Sequence, residues 1–430
     1  MKGVFISGPE VAELKNALLK RFVRYAKVWT TSDPDIEETP TSAGQWDLAR
    51  LIKTELSAIG IESELTSHCY LVAHIPSNLP RDSATAETIG FMAHLDTARD
   101  VPGKDVNPCI VSNYDGKKIE LHDGVTLDPL TDGGLAAAAG KTIVHTDGKT
   151  LLGADDKAGI SAIVCAAAFL VSHDEIKHGP LELIFTPDEE TGKGLPEFPR
   201  DLVKSSVCYT LDGGAGGEFE IECFNAYAVD ARFTGKAIHP GAARGLLVNA
   251  ALMAANFAVM LPRSESPEAT DDYYGFYCLT ESYGNHESAS LKIIVRDFTR
   301  SGIDRRIAAL KSFAEAVEAA FPGGFVKLDV KPSYFNMREK IEEHPEIIGN
   351  LSEAANRAGV DFRLKPIRGG TDGSRLTELG IPTPNIFTGG RNFHSRAEWL
   401  LVDDLFSACR VVIELAAAST PGGFPPLPSA

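Results

Sequence analysis

A chain of 430 residues, 43% of them apolar, is long enough to build two domains with their own hydrophobic cores. Its 42 basic and 59 acidic residues give a formal net charge of −17, which argues against nucleic acid or an anionic membrane surface as a partner. The apolar run 160–171 is shorter than the ~20 residues needed to cross a membrane, so no membrane span is expected. The seven scattered cysteines include no C-x-x-C pair, which predicts reduced thiols in a cytoplasmic protein.

The first half of the chain is predicted to alternate between amphipathic helices and short apolar strands. Polar residues follow several of these strands, which is where α/β folds place their functional sites. A segment rich in Gly, Pro, Asp and Asn, 102–149, predicts loops and short hairpins. The predicted helices are 10–27, 45–59 and 160–171, and the predicted strands are 70–75, 89–94, 181–185 and 207–211.

A separate segment in the second half is predicted to have the order β-α-β-β-α-β, the split βαβ plan of a compact inserted domain. Its strands are predicted at 226–233, 276–280, 289–295 and 326–330, and its helices at 242–261 and 303–321. Beyond it the α/β pattern resumes with helices at 345–358 and 403–418, a strand near 385–387 and a Pro-rich tail that we expect to be frayed. The sequence therefore predicts a discontinuous mixed-sheet α/β domain, 1–223 and 337–430, with an inserted ferredoxin-like domain, 224–336.

Several acids and histidines are predicted at strand ends or helix starts. Imidazole and carboxylate ligands suit zinc or a similar divalent ion, and more than four candidates suggest two ions that share a carboxylate. A single histidine at a strand end is more often structural, so only the group as a whole indicates a metal site. From the residues alone, the choice within each pair of adjacent acids stays open. The candidates are His94, Asp155 with Asp156, Glu189 with Glu190, Asp212 and His394.

Asp96 is predicted to support this site without binding the metal. In His94-Leu95-Asp96 the two polar side chains face the same side of an extended chain. Asp96 is therefore placed to hold the imidazole of His94 in its metal-binding tautomer.

The chain resembles the M20 metallopeptidase family, in particular its tripeptide aminopeptidases. The matching motifs run nearly from end to end of the chain. They include His94-Leu-Asp-Thr97, the GKTLLGADDKAGI stretch 148–160, the FTPDEE stretch 185–190, His239-Pro-Gly241, Val295-Arg-Asp-Phe298, the KPIRGGTDG stretch 365–373 and the TGGRNFH stretch 388–394.

This resemblance implies a binuclear zinc centre with two Zn²⁺ per subunit, for which Co²⁺ or Mn²⁺ can substitute. It selects Asp155 over Asp156 and Glu190 over Glu189 as ligands, makes Asp155 the bridge between the ions, and implies a cis peptide bond between Asp155 and Asp156. The implied ligands are His94, Asp155, Glu190, Asp212 and His394.

The resemblance also implies roles for residues that do not bind metal. Glu189 is expected to act as general base toward a zinc-activated water. His239, in the inserted domain, is expected to stabilise the oxyanion, the alternative being a capping or surface histidine. Arg296 and Arg368 are expected to bind a substrate carboxylate, the alternative being structural ion pairs.

The function implied is a cytoplasmic aminopeptidase that removes the N-terminal residue from tripeptides. The inserted domain is expected to act as a lid, and its sheet edge is of the kind that pairs subunits into a homodimer in this family. The alternatives are another M20 amidohydrolase, either a dipeptidase or an N-acyl amino acid deacylase, and a peptide-binding protein without catalysis. A serine hydrolase is disfavoured because no G-x-S-x-G elbow occurs.

Overall fold

The computed structural model describes residues 4, 6–80, 86–420 and 423–424. Two compact units are formed, one by the described residues within Met1–Ile221, Glu339–Lys365 and Thr371–Ala430, and the other by Glu222–Arg338 and Pro366–Gly370. These boundaries lie within two residues of the predicted junctions, but Pro366–Gly370 joins the second unit. It does so because the N–H of Ile367 donates to the carbonyl oxygen of Glu222 at 3.0 Å. The Pro-rich tail that we expect to be frayed lies outside the described residues, apart from 419–420 and 423–424.

The secondary-structure elements of the described residues are named here in chain order. The α-helices are α1 (Gly8–Ala26), α2 (Ala43–Ala58), α3 (Gly133–Ala137), α4 (Ala154–Ser172), α5 (Ala250–Met260), α6 (Arg300–Ala320), α7 (Arg338–Glu342), α8 (Pro345–Ala358), α9 (Asp372–Glu378) and α10 (Val402–Ala418). The strands are β1 (Glu62–Leu65), β2 (Leu71–Ile75), β3 (Ile89–His94), β4 (Cys109–Val111), β5 (Ile119–Glu120), β6 (Thr126–Leu127), β7 (Ile143–His145), β8 (Leu181–Thr186), β9 (Val207–Gly213), β10 (Glu218–Glu220), β11 (Asn225–Thr234), β12 (Phe276–Gly284), β13 (Ser288–Asp297), β14 (Phe325–Tyr334), β15 (Arg363–Leu364), β16 (Asn385–Phe387), β17 (Gly390–Arg391) and β18 (Trp399–Leu401).

The first unit is built on an eight-stranded mixed sheet in the order β1-β2-β8-β3-β9-β16-β10-β15. In its centre, β8, β3, β9 and β16 run parallel to one another, and the flanking β2 and β10 pair antiparallel. Because the carboxyl ends of parallel strands meet at one edge of a sheet, the residues that end β3, β8 and β9 are brought together there. The predicted mixed α/β fold is confirmed.

Helix α4 is the central helix of this unit. It is apolar around its circumference and buried over most of its length, as expected of a helix enclosed by a core rather than lying on a surface. It packs against α1, α10, β3 and β9. No described helix, α4 included, is long and apolar enough to cross a membrane. The position of α4 fixes its first residues at the same sheet edge as the strand ends.

The 102–149 excursion holds short elements, as predicted. β7 and β4 join β18 and β17 in a small four-stranded sheet, and β5 pairs with β6. The Trp399 side chain at the centre of this region is fully buried, and its Nε1–H donates to Oδ2 of Asp132 at 2.9 Å. This small sheet positions the loop between β17 and β18, which carries His394.

The second unit has the predicted β-α-β-β-α-β order. Its antiparallel sheet runs β12-β13-β11-β14, and α5 and α6 pack on it around a single apolar core. The predicted helix at 242–261 is too long, because α5 begins only at Ala250. Lys236 pairs with Val248 in an isolated bridge, and Asn249 caps the helix by accepting the N–H of Leu252. A tertiary pairing therefore overrides the apolar run that suggested helix before Asn249.

Candidate metal centre

One half of the candidate site lies at the end of β3. His94, the last residue of β3, is buried. Its Nε2 lies 2.8 Å from Oδ1 of Asp155 at the start of α4, and 3.6 Å from Oδ1 of Asp212 near the end of β9. Asp212 is fixed because its N–H donates to Oδ1 of Asn385 on β16 at 3.0 Å. One imidazole and two carboxylates from three elements therefore converge.

The other half is formed around His394, in the loop between β17 and β18. Its Nε2 lies 3.2 Å from Oδ2 of Asp155 and 3.1 Å from Oε2 of Glu190. Glu190 comes from the 3-10 turn Glu189–Thr191 that follows β8. The two oxygens of Asp155 thus face two different histidines, and Asp155 is common to both halves.

The two adjacent aspartates at the start of α4 have different surroundings. The buried Asp156 accepts the N–H of His94 at 3.1 Å and the N–H of Gly159 at 3.2 Å. The oxygens of Asp155 face imidazoles instead, and the peptide bond between the two aspartates is cis, as the resemblance implies. Ligand atoms of His94, Asp156 and Asp212 also lie within 4.8 Å of one another. We favour Asp155 as the shared carboxylate because the backbone donors already occupy Asp156.

The cluster consists of three half-buried acids beside two imidazoles. Burial raises the pKa of Asp212 to about 6 and that of Glu190 to about 7, and the charge of Asp155 adds to both shifts. Hydrogen bonds with Asp155 and Glu190 raise the pKa of His394 to about 11. Burial raises the pKa of Asp155, but its hydrogen bonds with His394 and His94 outweigh burial and lower that pKa. A bound cation would therefore stabilise the ionised form of these acids.

These residues fit a pair of divalent cations. Imidazole nitrogen and carboxylate oxygen are ordinary zinc ligands, and the ligand atoms of His94, Asp155 and Glu190 lie within 4.8 Å of one another. Oε1 of Glu190 is buried without a hydrogen-bond partner among the described residues. A buried carboxylate oxygen without a partner is costly, and a cation would compensate it.

Asp96 joins the imidazole of His94 to the acidic turn. Its Oδ1 lies 3.2 Å from Nδ1 of His94. The same carboxylate accepts the N–H of Glu189 at 3.0 Å and the N–H of Glu190 at 3.1 Å. Asp96 is fully buried, so its two hydrogen bonds fix the turn, and the same carboxylate lies beside the ring of His94.

Glu189 has no hydrogen bond or ion pair from its carboxylate to another described residue. Burial, with the charge of Asp212 as the next contribution, raises the pKa of Glu189 well above its usual range. A carboxyl without such partners beside a cluster of candidate metal ligands is placed to accept a proton from a group bound there.

Asp188 holds the acidic turn from the other side, a role that its sequence did not reveal. Its carboxylate accepts the backbone N–H of Thr41 at 2.9 Å, the Thr41 hydroxyl at 2.6 Å and Nε2 of Gln45 at 2.7 Å. Its own N–H donates to Oε1 of Gln45 at 3.1 Å. The turn that carries Glu189 is therefore fastened to the segment that opens α2.

Two further carboxylates near the cluster have no motif of their own. Glu398 accepts four backbone N–H groups at the start of α4, and Oδ2 of Asp100 lies 3.4 Å from Nδ1 of His394. Each lies four residues after a site residue, Glu398 after His394 and Asp100 after Asp96. Neither pair lies on a helix, so this spacing does not predict a contact, and the sequence carries no signal for either carboxylate.

His239 and the two arginines belong to the second unit. Nδ1 of His239 accepts the N–H of Gly241 at 3.1 Å, which caps the 3-10 turn Pro240–Ala242. This contact assigns the proton of a neutral ring to Nε2, so that Nε2 is a hydrogen-bond donor. Capping and donation at Nε2 are compatible with each other.

The two arginines differ in how their donors are used. Arg368 donates from Nη1 to the carbonyl oxygens of Asp272 at 2.9 Å and Tyr274 at 2.8 Å, and from Nη2 to the carbonyl oxygen of Thr270 at 3.1 Å. Arg296 donates from Nη1 to the hydroxyl of Tyr334, and its Nε is buried without a hydrogen-bond partner among the described residues. Arg368 braces a loop, whereas Arg296 has donor capacity left.

The fold and this cluster define a hydrolase of the peptidase class. The profile of peptidase family M20/M25/M40 matches residues 136–418. Peptidase T of Geobacillus sp. (strain WCH70) is 43% identical over 405 residues, covering 94% of this chain and 98% of that protein. The chain belongs to family M20/M25/M40 and, within it, to peptidase T.

Solved structures share the fold over nearly the whole chain. The aminopeptidase PepT of Bacillus cereus ATCC 10987 has a TM-score of 0.72 at 21% identity and covers 94% of this chain and 98% of its own. A tripeptidase of Staphylococcus aureus subsp. aureus Mu50 has a TM-score of 0.73 at 19% identity, with the same coverage. The YXEP protein of Bacillus subtilis, a dinuclear metal-binding peptidase of the M20 family, has a TM-score of 0.65 at 15% identity, covering 94% of this chain and 98% of its own.

Proposed function

We propose that this chain is a zinc-dependent aminopeptidase that removes the N-terminal residue from tripeptides and holds two ions in its first unit. The proposal rests on the two carboxylate oxygens of Asp155, which have different partners. Oδ1 faces His94, and Oδ2 faces His394. A carboxylate shared in this way suits two cations a few ångströms apart. The peptidase T relatives and the dinuclear M20 structure support the same reading.

The proposed ligands divide into two sets with Asp155 common to both. His94 and Asp212 complete one set, and His394 and Glu190 complete the other. Bound zinc supplies Lewis-acid polarisation of the peptide carbonyl and lowers the pKa of a coordinated water. Asp96 orients the His94 ring for this task through its contact with Nδ1.

Glu189 is the proposed proton carrier. Its carboxylate is not engaged by other described side chains, so it is free to take up a proton and release it to the leaving amine. Asp96 and Asp188 fix the turn that carries it, through the N–H of Glu189 and through Thr41 and Gln45. Glu189 is thus held by its backbone while its side chain remains available.

Residues of the second unit are proposed to bind the substrate. His239 offers an Nε2–H donor for the oxyanion of the tetrahedral intermediate. Arg296 is our first candidate for the C-terminal carboxylate of the peptide, and Arg368, whose guanidinium already donates to three backbone carbonyl oxygens, is the second. We also propose that the second unit acts as a lid and that its sheet edge pairs two subunits into a homodimer. We further propose that the protein is cytoplasmic, because its seven cysteines form no disulfide.

The proposal is tested by removing metal and by blocking the substrate amine. Treatment with a chelator should abolish tripeptide hydrolysis, and Zn²⁺ or Co²⁺ should restore it; full turnover by the metal-free protein would refute the mechanism. A tripeptide with a free N-terminus should be cleaved in preference to its N-acetylated form, because an aminopeptidase must accept the free α-amine. Preference for the acetylated peptide would indicate an N-acyl amino acid deacylase, and preference for dipeptides would indicate a dipeptidase.

A further inference from the structure

The buried carboxylate of Glu398 accepts four consecutive backbone N–H groups where α4 begins. Oε2 accepts from Leu152 at 2.7 Å and from Gly153 at 3.0 Å, and Oε1 accepts from Ala154 at 2.7 Å and from Asp155 at 3.3 Å. Gly153 has a left-handed φ of 77°, which turns the chain so that these amides point to one place. The last amide of the series belongs to Asp155, the carboxylate shared by both halves of the site.

Glu398 also belongs to the short loop that carries His394. The N–H of Glu398 donates to the carbonyl oxygen of Ser395 at 3.3 Å, and the Ser395 hydroxyl donates to the carbonyl oxygen of Asn392 at 2.6 Å. Nδ2 of Asn392 donates to Oδ2 of Asp132 at 3.2 Å. The loop is therefore tied to Asp132 before His394 and to the start of α4 after it.

Two proposed ligands thus depend on one carboxylate. Glu398 bonds the backbone of Asp155 directly and fixes His394 through four residues of a tied loop. His394 is itself an exposed residue, with 41% of its side chain accessible, so packing does little to fix it. His94, in contrast, is buried at the end of a central strand and needs no such support.

We propose that Glu398 is a positioning residue that sets the separation of Asp155 and His394 and thereby the affinity for the metal ion on the His394 side. This inference rests on the proposed binuclear centre. Loss of Glu398 releases Asp155 and His394, which are two of the proposed ligands of that ion. On the His94 side it releases only Asp155, so the loss of affinity there is smaller.

The test is Glu398→Gln, which keeps the size of the side chain. An amide offers one acceptor oxygen in place of two and turns an NH₂ donor toward backbone N–H groups, so part of the amide series is left without an acceptor. Zn²⁺ is titrated into the metal-free full chain by calorimetry with a competing chelator. We expect one of the two binding steps to weaken by about 10–100-fold, the usual effect of losing a group that orients a ligand, and the other to weaken less.

The matched control is Glu182→Gln, the same substitution at another buried glutamate. Glu182 accepts the N–H groups of Lys204 and Ser205, each at 3.0 Å, and lies at the opposite end of β8 from the acidic turn. It should lower thermal stability without changing either metal affinity. His394→Ala serves as the reference that removes the ligand itself and so identifies which of the two binding steps belongs to the His394 side.

The outcomes separate this inference from the proposed function. Two wild-type affinities in Glu398→Gln, or equal losses in both steps, would overturn the role of Glu398 and leave the binuclear centre intact. A wild-type protein that binds fewer than two ions would overturn the proposed function and this inference with it. If Glu398→Gln does not fold, the same titration is made with Glu398→Asp, which keeps the charge on a shorter side chain. Weakening of the binding step identified by His394→Ala would support the proposal. Unchanged affinities would overturn it.

Discussion

Oδ1 of Asp96 lies 3.2 Å from Nδ1 of His94, and the same oxygen accepts the N–H of Glu189 at 3.0 Å. A single buried carboxylate therefore lies beside the ring of a proposed metal ligand and fixes the backbone of the proposed general base.

Replacing Asp96 should disturb both functions. In Asp96→Asn one oxygen becomes an NH₂ group, which cannot accept from the N–H of Glu189 or Glu190. We expect metal affinity and kcat/KM to fall by about 10–100-fold, as is usual when a group that orients a metal-bound histidine is lost. Chelator competition and tripeptide hydrolysis measure the two effects. Asp33→Asn, at an exposed ion pair with Arg99, should change neither, and wild-type metal affinity in Asp96→Asn would contradict the role of Asp96.

Glu189 and Glu190 are neighbours for which we predict opposite effects. Glu189→Gln should retain both metal ions and lose at least ~100-fold in kcat, because the amide cannot carry a proton. Glu190→Gln should lose metal, because one ligand oxygen is gone. Zinc content by atomic absorption and turnover at saturating tripeptide distinguish the two variants. A fully active Glu189→Gln would remove Glu189 from the mechanism.

Asp188 should contribute to the stability of the first unit. In Asp188→Asn the donors of Thr41 and Gln45 lose an acceptor inside the protein, which costs about 1–3 kcal/mol in the free energy of unfolding. Denaturant unfolding of the metal-free protein measures this loss. Thr41→Val is the matched variant, since it removes the hydroxyl donor but keeps the backbone N–H, and its loss should be smaller. Equal stability of Asp188→Asn and wild type would contradict the proposed fastening of the turn.

Much of this fold could be predicted from the sequence because its central strands are short, apolar and followed by polar residues. The predicted strand 89–94 has the bounds of β3, and the residues that end β3, β8 and β9 meet at one sheet edge as the pattern indicates. The sequence could not predict the role of Glu398, because its partners are backbone amides, which leave no side-chain signature. The first of these amides lies 246 residues earlier in the chain. Nor could it predict the late start of α5, which depends on the pairing of Lys236 with Val248.

His239 should contribute to turnover rather than to metal binding. His239→Ala removes the Nε2–H donor that we propose for the oxyanion, and loss of such a donor typically lowers kcat by about 10²–10³-fold. The cap of a three-residue turn is lost as well, so thermal unfolding is measured in parallel. His286→Ala, elsewhere in the second unit, should leave kcat unchanged. A His239→Ala variant with wild-type kcat would favour the capping alternative.

Arg296 should determine whether the enzyme distinguishes a free C-terminal carboxylate from an amide. A charge-assisted hydrogen bond contributes about 1.5–3 kcal/mol, so Arg296→Ala should lower kcat/KM for a tripeptide by about 10–100-fold and leave the C-terminal amide nearly unaffected. Arg368→Ala is the matched variant: its guanidinium already donates to three backbone carbonyl oxygens, so its loss should lower thermal stability and preserve the discrimination. The arginine that binds the carboxylate is the one whose removal makes the tripeptide and its C-terminal amide equivalent substrates. If Arg368→Ala has this effect and Arg296→Ala does not, the roles of the two arginines are exchanged.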